Sequence, residues 1–241
     1  MKTDAPLWVH WMRHAKVASH QGDVPLTDEG RREVERSGQQ FSRKFIPGEV
    51  VSLLHAPTRR TRETALVLHD SMARVVGEVP DPKVSLLAPA ENAALRNPDI
   101  YVAGVRVELV STAEALAEQL PSSGLGLEQL SQLPFFQGFW SDPDSIGFWV
   151  NHPNPPGEDA DTVARRLLTF AVSLLDLPRE QPRRYICVTH SPTMRAFVRR
   201  YLLGKDPGEP DYLETVDLSF APDGSLSLRF RGHSTNIVWQ L

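Results

Sequence analysis

Three short apolar runs, far apart in the chain, each stop abruptly at a histidine and lead into a polar loop. That recurrence constrains the fold more than any other feature. In the first run Leu7, Val9 and Trp11 alternate with other residues before Arg13-His14-Ala15-Lys16. The second, Val50-Val51-Ser52-Leu53-Leu54, ends in His55-Ala56-Pro57-Thr58 and leads into Arg59, Arg60 and Arg62. The third, Tyr185-Ile186-Cys187-Val188, ends in Thr189-His190-Ser191-Pro192, with the proline placed for the first turn of a helix. Short apolar runs of this kind read as buried strands. Strands alternating with helices imply an α/β fold, whose ligands bind beyond the carboxyl ends of parallel strands.

The intervening segments fit this scheme. Thr27 is a good N-cap, and Asp28 and Glu29 favour the dipole of a helix running to about Lys44, closed by Pro47-Gly48. Val84–Leu87 reads as a further strand, with Glu91 just beyond its end. From about residue 92 to 157 the chain changes character, with prolines, glycines, aromatics and short helical pieces. This stretch is expected to be a lid-like insertion over one end of the sheet within a single domain of residues 1–241. Within it Ser111-Thr112-Ala113-Glu114 fits a capping box ahead of Ala115–Leu120, and Trp140 and Trp149 suit packing. A long amphipathic helix is expected over about Asp161–Leu177, another from Pro192 to Leu203, and a hairpin from Val216–Phe220 and Leu226–Phe230.

A net charge of −4 gives no reason to expect nucleic acid or a membrane as partner, so any anion site must be a local cationic pocket. Cys187 is the only cysteine, which excludes an internal disulfide and cysteine-rich zinc sites. No apolar run is long enough to span a bilayer, and the start of the sequence has no apolar leader segment. A cytoplasmic location is expected.

Taken singly, Arg13-His14 suits a surface cation beside a satisfied histidine, and the three arginines suit a solvated helix face. Together, neighbouring parallel strands bring their ends to one edge. Two imidazoles and two guanidiniums match a tetrahedral dianion, because arginine grips phosphate oxygens in pairs and stays charged. A nearby guanidinium also keeps an imidazole neutral and nucleophilic near pH 7.

Arg13-His14-Ala15 resembles the Arg-His-Gly signature of the histidine phosphatase superfamily, the phosphoglycerate mutase-like proteins. Asp23-Val24-Pro25-Leu26-Thr27 followed by Gly30 is similar to that family's D-x-P-L-T-x-x-G run. Ala56-Pro57 through Thr64-Ala65 is similar to its S-P-x-x-R-x-x-x-T-A element, which selects Arg60 over Arg59 and Arg62. Pro156-Gly157-Glu158 and Val188-Thr189-His190-Ser191 resemble the later blocks, in family order. Ala15 stands in place of glycine, and Val17 and His20 in place of threonine and asparagine.

The resemblance implies a three-layer sandwich around a mostly parallel sheet. It also implies a metal-independent phosphomonoesterase with no cofactor, acting on a small phosphorylated metabolite. His14 is then the nucleophile, while Arg13, Arg60 and His190 hold the phosphoryl oxygens. His20 is a candidate phosphate ligand or a plain loop histidine. The proton donor falls to a carboxylate after the third strand: Glu91 first, with Asp99 and Glu108 as rivals. Two other readings stand beside this one, a phosphoglycerate mutase and a catalytically weak phospho-ligand binding or regulatory module. Mutase members carry a longer loop after the first histidine, whereas His20-Gln21-Gly22 runs straight to Asp23.

Overall fold

A computed structural model describes residues 5–19, 22–78, 84–176, 180–221 and 225–237. In chain order, β1 (Leu7–Arg13) leads to α1 (Asp28–Ser42), β2 (Val50–His55) to α2 (Arg59–Gly77), and β3 (Ser85–Glu91) follows. A two-stranded ribbon, β4 (Ile100–Val102) and β5 (Val105–Val107), precedes four short helices. These are α3 (Ala113–Glu118), α4 (Leu127–Ser131), α5 (Pro134–Ser141) and α6 (Ser145–Asn151). Then come α7 (Ala160–Ser173), β6 (Arg183–Thr189), α8 (Ser191–Val198), β7 (Thr215–Phe220), β8 (Leu226–Phe230) and β9 (His233–Ile237).

The main sheet has the order β3-β2-β6-β1-β7-β8-β9. The first four strands are parallel, and β7, β8 and β9 extend the sheet antiparallel. Both faces of the central strands are covered, so that nearly every residue of β1 and β6 is buried and not merely alternate ones. Leu7, Val9, Trp11, Tyr185 and Cys187 pack with Leu167 of α7 and Phe197 of α8. Met12, Val51, Leu53, Ile186 and Val188 face Val34 and Phe41 of α1 and Leu68 and Met72 of α2. The three layers expected from the resemblance are therefore present.

Residues between β3 and α7 form a separate apolar cluster that includes Phe136, Phe139 and the fully buried Trp149. It rests on Val163 of α7 and Ala196 of α8. The Trp149 indole N–H donates to Glu158 O (3.1 Å) and that of Trp140 to Val110 O (2.8 Å), so both rings serve packing as expected. Helix α3 begins one residue later than a Ser111 cap would place it: Thr112 Oγ1 accepts from Ala115 N, and Thr112 is the N-cap. Glu91 is the last residue of β3, not a residue beyond it, because His55 and Glu91 still pair in register. The ribbon β4–β5 and the edge strand β9 were not expected. Both are short, and β9 (His-Ser-Thr-Asn-Ile) lacks the apolar alternation that marks a half-buried strand.

Two glycines of the motifs are fixed by contact. A Cβ on Gly30 would lie 2.5 Å from Lys16 O, where the loop after β1 meets the start of α1. A Cβ on Gly157 would lie 2.1 Å from Asp99 O. No side chain fits at either place.

Candidate active site

Strand register explains how residues 176 positions apart meet. Arg13 pairs with Thr189 across β1 and β6, so His14 and His190 each stand one residue past adjacent strand ends. His14 N donates to Thr189 O (3.0 Å), and Ala56 N donates to Val188 O (3.0 Å), drawing the loop after β2 to the same edge. The His14 and His190 ring centroids are 5.5 Å apart, and each residue is only 2% exposed. Arg13, His14, Arg60 and His190 line one cavity of about 210 Å³.

Each group is held from behind. His14 Nδ1 lies 2.8 Å from Ala15 O. A carbonyl only accepts, so Nδ1 carries the proton and Nε2 carries the lone pair of the neutral ring. Thr64 Oγ1 accepts from Ala15 N (3.1 Å) and donates to Arg60 O (2.7 Å), linking the His14 loop to the first turns of α2. His190 Nε2 is 3.1 Å from Thr58 Oγ1, at the N-cap of α2. Arg13 is 7% exposed; its guanidinium donates to Pro210 O, pairs with Glu209 Oε1 (2.6 Å) and lies 4.3 Å over the Tyr212 ring.

Arg60 differs from its neighbours. Arg59 pairs with Glu63 (2.8 Å), and Arg59 and Arg62 are exposed. Arg60 is turned inward, and among the described residues its buried Nε has no hydrogen-bond partner. Burial draws its guanidinium below the ordinary arginine value, opposed by the Glu108 and Asp23 carboxylates and assisted by Arg13. A half-buried cation with a buried, unmatched Nε donor, lining a cavity with a second cation, suits an anionic ligand.

The three candidate carboxylates fall in different places. Glu91 is exposed and lines a neighbouring cavity with His55, Thr58, Arg59 and Arg62; it does not line the cavity of His14. The parallel pairing of β3 with β2 carries it there, on the far side of Thr58. Asp99 is engaged by the Arg96 and Arg106 guanidiniums. Burial alone would raise its carboxyl, yet those two arginines hold it at about 2, so near neutral pH it has no proton to give. Glu108 approaches the cavity through Asn97, a lining residue whose Nδ2 donates to Glu108 Oε2 (2.8 Å). Its charge acts on Arg60, and among the described residues its Oε1 is paired with Arg106 alone (2.9 Å), where Asp99 is held by two guanidiniums. His20 lies outside the described residues.

Sequence reasoning did not single out Asn97, Thr58, Arg195 or Glu209. Asn97 is placed by anchors on both sides. Thr189 Oγ1 donates to Leu95 O (2.7 Å), Arg166 to Arg96 O (3.0 Å), and Glu158 accepts from Asp99 N (2.9 Å). The glutamate of the Pro-Gly-Glu block thus braces the site from outside. Arg195 is fully buried and joins Asp144, Asp206 and Glu209. Glu209 lines the cavity and accepts from Ser191 Oγ (2.5 Å). It sits in a loop without hydrophobic periodicity, so only the folded chain reveals it.

Among the described residues, no group of three or more His, Cys, Asp or Glu side chains could hold a metal ion, and no helix is long and apolar enough to cross a membrane.

No curated protein sequence matches the chain. Several solved structures share its fold. A phosphoglycerate mutase from Bacillus anthracis str. Sterne is 13% identical, with a TM-score of 0.55 over 93% of this chain and 92% of that one. A native mycobacterial glucosyl-3-phosphoglycerate phosphatase is 17% identical, with a TM-score of 0.54 over 98% of each chain. A complex of that phosphatase with inorganic phosphate gives 17% identity and a TM-score of 0.52 over 98% of this chain and 96% of that one. The phosphoglycerate mutase-like fold expected from the motifs is thus the one observed. Residues 9–80, which carry Arg13, His14 and Arg60, match the model of the histidine phosphatase superfamily (branch 1), and over that stretch the resemblance read from the sequence is borne out.

Proposed function

We propose that the chain is a metal-independent phosphomonoesterase that works through a phosphohistidine at His14. The observation that carries this reading is the convergence of two imidazoles and two guanidiniums on one cavity. Arg13, Arg60 and His190 hold the phosphoryl oxygens and offset their charge, the main requirement of phosphoryl transfer. His14 Nε2 attacks phosphorus in line, forming an N–P bond as the bond to the alcohol oxygen breaks. Glu108 takes the place of Glu91 as proton donor in this scheme, because it stands next to Asn97 and acts on Arg60. Its proton goes to the departing alkoxide. Glu108 then accepts a proton from water, which attacks phosphorus and releases phosphate and the regenerated imidazole.

Residues 1–241 act in this scheme as one unit, with the 92–157 segment supplying Asn97 and one wall of the cavity. The mycobacterial structures of the same fold are those of a phosphatase and of its complex with inorganic phosphate, in keeping with this reading. The test is phosphate release from a panel of monoesters in EDTA by the wild type and His14→Ala. The expected result is turnover by the wild type and loss of at least about a thousandfold in the variant. Equal rates refute the reading, and a coupled mutase assay that outpaces phosphate release assigns the chain to transfer instead.

A further inference from the structure

We infer, building on the phosphomonoesterase reading, that the preferred substrates are monoesters of uncharged, largely apolar alcohols, and that a second anionic group on the alcohol is rejected. Beyond the phosphate-facing groups, half of the lining residues are apolar, namely Leu109, Val110, Phe139, Ile146 and Pro192, and the rest are Asn97, three serines and Glu209. Among the described lining residues the only cations are Arg13 and Arg60, and both are engaged by the phosphoryl group in the proposed mechanism. Arg13 is already shared with Glu209, and Arg60 already feels Glu108. Among the described lining residues, no cation remains for a carboxylate or a second phosphate on the alcohol.

Glu209 makes the exclusion active. Its carboxylate lines the same cavity, fixed by Arg13, Ser191 and Arg195. An additional anion meets that fixed like charge across the cavity. An alkyl or aryl group meets the opposite condition, since it displaces water from side-chain carbon. Each methylene buried there is worth about fourfold in kcat/KM. The walls come from three separate segments: Leu109 and Val110 after β5, Phe139 and Ile146 from α5 and α6, and Pro192 from α8. Segment 92–157 therefore supplies most of the selective surface.

A series of n-alkyl phosphates, from ethyl to hexyl, separates the two ideas. Their alcohols have nearly equal acidity, so the chemical step is constant and only burial changes. The expected result is kcat/KM rising about two- to fourfold per methylene until the cavity is full. 3-Phosphoglycerate is expected to run at least tenfold below propyl phosphate. Ile146→Ser is expected to flatten the alkyl slope, and Glu209→Gln to raise 3-phosphoglycerate relative to propyl phosphate at least threefold. A flat slope, with hydrolysis still dependent on His14, overturns the inference and leaves the phosphatase reading standing. So does a preference for 3-phosphoglycerate, or for the cationic alcohol of phosphocholine. Absence of His14-dependent hydrolysis across the whole series overturns both.

Discussion

Replacing Arg60 tests the inward cation against its two exposed neighbours. In the folded chain Arg59 is committed to Glu63, Arg62 is exposed, and Arg60 alone turns a buried, unmatched Nε towards the cavity side. A guanidinium gripping a phosphoryl dianion makes two charge-assisted hydrogen bonds, each worth about 1.5–3 kcal/mol. Arg60→Ala then removes about 3–6 kcal/mol of transition-state stabilisation, or about 10²- to 10⁴-fold in kcat/KM. Arg60→Lys keeps the charge and loses the planar fork, so it is expected to recover part of that loss and still fall about tenfold short of wild type. Arg59→Ala and Arg62→Ala remove exposed cations and are expected to stay within about threefold. The assay is steady-state hydrolysis of pentyl phosphate, with inhibition by inorganic phosphate as a check on binding. A loss below fivefold for Arg60→Ala refutes the assignment, as does an equal loss for Arg62→Ala.

Three further outcomes follow from the same structure. If Glu108 is the proton donor, Glu108→Gln slows alkyl phosphates about a hundredfold. With 4-nitrophenyl phosphate the same variant gives a burst of one equivalent of nitrophenol before slow turnover, because that leaving group needs no proton; stopped-flow absorbance reads it, and absence of the burst rejects the role. Glu49 is fully buried against Arg184 (2.7 Å), so Glu49→Ala leaves an unpaired buried guanidinium and is expected to cost about 3–5 kcal/mol in urea unfolding. His10 gives a pH signature. Its Nε2 accepts from Arg184 and its Nδ1 donates to Asp217, an arrangement that only the neutral ring satisfies. Burial depresses its proton affinity despite Asp217. The unfolded chain therefore binds the extra proton: this stabilisation is fully present above the ordinary histidine value of about 6.5 and is lost as pH falls below it. Urea midpoints for wild type and His10→Gln from pH 8 to pH 5 read the difference, and parallel curves contradict it.

Much of this was legible before folding because the signals are local. The apolar runs of β1, β2 and β6 gave their own strands, and Thr27 capped α1 as expected, accepting from Gly30 N (3.0 Å). The convergence of His14 with His190 was also legible, since parallel register puts successive strand ends side by side. Which of Glu91, Asp99 and Glu108 comes near the cavity was not legible, because it depends on how the 92–108 segment is tied down by Thr189, Arg166 and Glu158, residues far away in sequence. The same holds for Glu209, which reaches the cavity where Arg195, a buried residue of α8, gathers three carboxylates around itself.

The central claim is that the ring after β1 takes the phosphoryl group itself. Acid-free rapid quenching of wild type and Glu108→Gln with 4-nitrophenyl phosphate, followed by peptide mass spectrometry, tests it directly. The expected result is one added HPO₃ on His14, stable to base and labile to acid, and enriched in the variant. Phosphoryl transfer to Ser191 or another side chain, or turnover with no phosphorylated peptide in either protein, would contradict it.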